Sequence, residues 1–122
     1  MVDKNKKIST RAASNMQEKR VAQKLNGKIQ CNSGATKFSK GDVILPDIRM
    51  HVECKTSISP RLSVTIKKEW LEKQSQESFS MRCPYHALAF NFCFDDTKDY
   101  FVIDDRLMQI LVDTLRKNNN DG

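Results

Sequence analysis

Polar and apolar positions alternate most cleanly from Arg49 to Lys55. Arg49, His51, Glu53 and Lys55 fall on one side, and Met50, Val52 and Cys54 on the other, because successive side chains of a strand point to opposite faces. Just upstream, Val43, Ile44 and Leu45 form an apolar run, and Pro46-Asp47 supplies turn chemistry. Gly41 to Lys55 therefore predicts a β-hairpin. Folding it about its middle, between Asp47 and Ile48, sets Asp42 opposite Glu53, Val43 opposite Val52 and Leu45 opposite Met50. Directly opposed residues share a face. One face is then apolar, and the other carries Asp42, Glu53 and Lys55. A slip of one residue breaks both sets.

The pattern predicts further elements around this hairpin. A helix starts at Ser9 or Ser14 and runs to Leu25, with Val21, Ala22 and Leu25 as its apolar stripe. Either serine can cap it, and Ser14-x-x-Gln17 has the form of a capping box. Asn26-Gly27 ends it, the glycine suiting a left-handed position. Glu18 lies on the stripe's side, either exposed at its edge beside a Lys or Arg, or turned inward. Lys28 to Cys31 reads as a short strand, followed by the loop Asn32 to Ala35 and the basic stretch Thr36 to Lys40. Leu62 to Ile66 suggests a short extended piece. A helix begins near Thr65 and runs to about Ser78, with Ile66, Trp70 and Leu71 as a narrow stripe and Trp70 read as core. His86 to Phe94 is a strand apolar enough for burial on both faces. Asp95 to Lys98 makes a turn, Tyr100 to Ile103 a last strand, and Asp104 or Asp105 caps a final helix to about Lys117. Leu107, Ile110, Leu111 and Leu115 give that helix a clear apolar face. Together these define one α/β domain over residues 1–122, with residues 1–9 and 118–122 as flexible tails.

Composition narrows the chemistry. There are 21 Lys and Arg against 15 Asp and Glu, a formal charge of +6, which favours a polyanionic partner. No apolar run approaches the ~20 residues that span a bilayer, and MVDKNKKISTR has no apolar core for a signal peptide. The expectation is a cytoplasmic protein with no membrane partner. Cys31, Cys54, Cys83 and Cys93 lack the close spacing of a zinc site and read as reduced thiols.

Two carboxylates held across a hairpin suit a hard divalent cation such as Mg²⁺, which keeps waters for a substrate. Without a cation they repel, and one tends to hold its proton. Asp42, then Glu53-Cys54-Lys55, resembles the core of the PD-(D/E)xK nuclease superfamily. The literal Pro46-Asp47 pair does not fit, because Asp47 lies at the turn, ~20 Å along the strand from Glu53. Nearest in layout are the archaeal- and phage-type Holliday-junction resolvases, over roughly residues 14–95. The resemblance implies a restriction-endonuclease-like core of order αβββαββα, a mixed sheet of about five strands flanked by helices. It implies a Mg²⁺-dependent endodeoxyribonuclease, with Mn²⁺ as a substitute ion, and possible phage origin is part of the same expectation. Asp42, Glu53, the backbone carbonyl of Cys54 and Glu18 would hold metal. Lys55 would stabilise the hydroxide or transition state, and Ser33 in the Ser33-Gly34 loop would position the scissile phosphate. Lys37, Lys40, Lys73 and Gln74 are candidate DNA contacts. Symmetric cutting of a four-way junction implies a two-fold homodimer. The competing readings are a restriction-like or repair nuclease on duplex DNA, a non-catalytic DNA-binding module on the same fold, and a plain interaction domain.

Overall fold

The structure, a computed structural model, describes residues 8–30 and 42–121. Its elements run α1 (Thr10–Leu25), β1 (Lys28–Ile29), β2 (Asp42–Leu45), β3 (Met50–Lys55), α2 (Lys68–Ser80), β4 (Tyr85–Phe90), β5 (Tyr100–Val102) and α3 (Asp105–Asp121). The strands form one five-stranded sheet in sequence order. Only β3 and β4 are parallel, with α2 as the crossover between them; the other neighbours are antiparallel. The chain is thus α/β, a mixed sheet flanked by helices.

Ser9, not Ser14, caps α1: its Oγ accepts from the Ala12 amide at 3.0 Å. Gln17 is thereby released from any capping box and lies fully buried. At the far end Asn26, rather than Gly27, takes the left-handed conformation, with φ 54°. The Gly27 and Asn26 amides return to the Ala22 and Gln23 carbonyls, the paired bonds of a Schellman ending. Gly27 is needed for a different reason. A Cβ there would sit 3.0 Å from both the Ile44 carbonyl oxygen and Val43 Cγ1.

The two sheet faces are covered differently. Val21 and Ala22 of α1 pack on Val43, Leu45, Val52, Ala87 and Ala89, an all-apolar layer. On the other face, α2 brings the buried polar side chains Gln74 and Ser78 against the buried His51. Strand alternation explains the split, since β2 and β3 present Val43, Leu45 and Val52 to one side and Asp42, His51 and Glu53 to the other.

Several expected boundaries move. No ladder includes residues 62–67, and α2 starts at Lys68. β4 stops at Phe90 because the chain then turns, with Asp96 Oδ2 accepting the Phe92 and Cys93 amides. Cys93 and Phe94 are buried by Ala13 and Ile8 instead of by the sheet. The expected tails are also shorter, since Ile8 packs, Ser9 caps and α3 continues to Asp121. Asp104 caps α3 through the Leu107 amide. That helix buries Leu107 and leaves Met108, Ile110, Leu111 and Leu115 exposed.

Candidate active site

The hairpin adopts the register its pattern predicts: Asp42 faces Glu53, Val43 faces Val52 and Leu45 faces Met50. A four-residue turn, Pro46 to Arg49, joins the arms, and Arg49 closes it with φ 51°. Asp47 is in this turn, away from Glu53. The residue pairs dictate that Asp42 and Glu53 project from the same side of the sheet, the side under α2. Asp42 is buried, and Glu53 and Lys55 are half-buried.

Three side chains converge there. Asp42, His51 and Glu77 each offer a ligand atom, and these atoms all lie within 4.8 Å of one another. His51 is fully buried, with Nδ1 2.7 Å from Ser78 Oγ. Its Nε2 lies 3.1 Å from Asp42 Oδ1. The two atoms are not aligned for a hydrogen bond, and neither has a hydrogen-bond partner among the described residues. Orphaned buried polar atoms are rare enough to need an explanation. Atoms of this donor chemistry, gathered and unpaired, fit a divalent cation.

The Glu53 carboxyl feels the same cluster. Burial, first of all, pushes its pKa above the ordinary carboxylate range. Lys55 opposes that rise, Asp42 and Glu77 add to it, and His51 opposes it.

Lys55 stands between this cluster and a basic cavity of about 560 Å³. Ser57, Arg61, Lys67, Trp70 and Asn91 line it with Lys55. Trp70 is half-buried, not core: the ammonium groups of Lys55 and Lys67 lie 4.6 and 5.7 Å from its ring centroid. The strand end that carries Lys55 is pinned from α1. Gln17 Nε2 donates to the Lys55 carbonyl at 2.9 Å, and to Asp99 Oδ1 at 3.2 Å. Arg20 makes a two-pronged pair with Asp99, at 2.7 and 3.0 Å, which holds that carboxylate in place.

The other predicted residues divide. Glu18 is buried on α1, and its charge raises the pKa of the Cys54 thiol after burial itself does; it is not among the side chains that gather at Asp42. Cys54 alternates to the apolar side, so its thiol faces away from Asp42 and Glu53. Gln74 is not presented outward. It is buried, its Nε2 donates to the Ala87 carbonyl, and its Oε1 has no partner among the described residues. Lys73 is exposed on α2. Ser33, Lys37 and Lys40 lie outside the described residues. Asp96 serves the turn after β4, and Asp95 is exposed beside it. Sequence reasoning placed His51 on the site's face but gave it no role, and it missed Glu77, Ser78, Arg61 and the Gln17–Asp99–Arg20 network.

Among the described residues no helix is long and apolar enough to cross a membrane. Against known proteins, the chain matches no family model, no curated protein and no solved structure.

Proposed function

We propose that the protein is a metal-dependent DNA endonuclease of restriction-endonuclease-like core, acting on branched DNA such as a four-way junction. The observation that carries this reading is the pairing of Asp42 with Glu53 on one sheet face, with Lys55 on the same face two residues on. A divalent cation held there supplies an activated water and neutralises charge building on the phosphate. Asp42 and Glu53 are its proposed ligands, with the Cys54 carbonyl and Glu18 as the further ligands that the family resemblance implies. Lys55 offers its ammonium to the attacking hydroxide and the phosphate oxygens. Gln17 keeps the Lys55 backbone from shifting as charge builds. Arg61, Lys67 and the Trp70 ring give a nucleic-acid strand a basic cavity with one stacking surface.

Two strands of a junction are cut by two sites, so the reading includes a two-fold homodimer. The uncovered apolar stripe of α3 supports it, because exposed contiguous apolar surface marks association sites. The test is cleavage of junction, linear duplex and single-stranded DNA, with and without Mg²⁺ or Mn²⁺. Metal-dependent nicking of the junction in preference to the duplex is expected. Equal cutting of both points to a restriction-like or repair nuclease, and binding without any product points to a non-catalytic DNA-binding module.

A further inference from the structure

We infer that the acidic site is a mixed nitrogen–oxygen metal centre, with His51 Nε2, Asp42 and Glu77 as ligands, and that it takes Mn²⁺ in preference to Mg²⁺. The inference rests on the preceding reading for the cation's purpose and revises its ligand set: Asp42 is kept, His51 and Glu77 join it, and Glu53 acts on the ion from beside the cluster. Its geometry is independent of what is cut.

His51 has two ring nitrogens with different tasks. Nδ1 lies 2.7 Å from Ser78 Oγ, which fixes the ring plane. A metal-binding histidine usually has its second nitrogen held by such a partner, which sets the tautomer. In the tautomer in which Nδ1–H donates to Ser78, Nε2 carries its lone pair off the line to Asp42 Oδ1. Two acceptors then lie 3.1 Å apart, both buried, neither hydrogen-bonded among the described residues. With His51 neutral in this tautomer the contact is unfavourable and leaves two polar groups unsatisfied, whereas a protonated His51 would make it an ion pair. With a cation between them it is favourable. Ligands ~2.1 Å from a metal and at right angles are ~3 Å apart, which is the separation seen. Glu77 reaches the same point from α2 and closes a third side.

The nitrogen decides the ion. Mg²⁺ demands oxygen ligands and gives up water reluctantly. Imidazole favours first-row transition ions, and the carboxylates on either side suit Mn²⁺ within that row. A set of one imidazole and two carboxylates therefore disfavours Mg²⁺.

The test uses the full chain without DNA. Mn²⁺ and Mg²⁺ are titrated separately by calorimetry, and bound Mn²⁺ is probed by pulsed electron paramagnetic resonance for ¹⁴N coupling. A Kd for Mn²⁺ at least about tenfold below that for Mg²⁺, with imidazole coupling, is expected. His51→Gln should abolish the coupling and remove the preference. Because His51 is fully buried, Glu77→Gln on half-exposed α2 serves as the second variant. It should weaken Mn²⁺ binding about tenfold, with an unchanged circular dichroism melt in metal-free buffer. Equal affinities, no Mn²⁺ binding, or bound Mn²⁺ without nitrogen coupling overturns the inference. The two readings fail separately. Nitrogen-coupled Mn²⁺ with no DNA cut in either ion keeps the centre and removes the nuclease, whereas cutting without the coupling does the reverse.

Discussion

The two faces of this sheet are buried with different materials. Under α1, the layer of Val21, Ala22, Val43, Leu45, Val52, Ala87 and Ala89 carries no side-chain polar atom, although the helix also buries Gln17 and Glu18. Under α2, His51, Gln74, Ser78 and Asp42 are buried together. Apolar burial stabilises in proportion to area removed from water. Polar burial is favourable only where each group finds a partner, and here Asp42 Oδ1, His51 Nε2 and Gln74 Oε1 do not find one among the described residues. The difference teaches that apolar contact dominates one face, and that the other gathers three of the five unsatisfied buried side-chain atoms among the described residues. Strain of that kind collects at functional sites.

The contrast can be broken from either side. The largest effect is expected on the polar face: Glu53→Gln or Asp42→Asn should lower metal-dependent cleavage on the order of 10³-fold, several kcal/mol of transition-state stabilisation, while DNA binding in a gel shift survives. Wild-type cutting rates in both variants would remove the site. On the apolar face, Val52→Ala should lose roughly 2 kcal/mol in urea unfolding and leave the activity of the folded protein near wild type. A comparable loss of activity per folded molecule would erase the division of labour. Gly27→Ala should lose roughly 1–3 kcal/mol, since its methyl meets β2 at 3.0 Å.

The smallest effect sharpens the comparison. The folded pKa of Glu53 is raised, chiefly by burial. A raised carboxyl contributes stability below its unfolded pKa of ~4.3, and that contribution is lost as pH rises through the folded value. In metal-free protein, Glu53→Gln should therefore melt higher than wild type at pH 7, with the gap closing as pH falls toward 4. A gap of the same size at both pH values would show that the carboxylate's charge is not the cause.

How far the chain could be read depended on whether its contacts are local. The hairpin register was legible because two-residue alternation and the Pro46-Asp47 turn agree, and any slip would bury charge. Helix α1 was legible from its stripe, but its first residue was not, since Ser9 and Ser14 offer the same capping oxygen. The β4 run looked longer than it is because Phe92, Cys93 and Phe94 are as apolar as a strand, yet Cys93 and Phe94 pack against Ala13 and Ile8. The apolar face of α3 was visible, and its exposure was not, because periodicity says nothing of what covers it. The candidate site divided in the same way. Asp42, Glu53 and Lys55 come from one ribbon, whereas His51 meets Ser78 across 27 positions of sequence. No spacing rule signals that encounter. Its one hint was that His51 shares a strand face with Glu53.

Asp42, His51, Glu53, Lys55, Glu77 and Ser78 all fall between β2 and the end of α2, an uninterrupted run of chain. Neither β5 nor α3 supplies any of them. The chemical groups thus sit on one continuous stretch, and the C-terminal third holds that stretch in place: β5 pairs with the edge of β4, and Asp99 receives the Gln17 amide that also holds the Lys55 carbonyl.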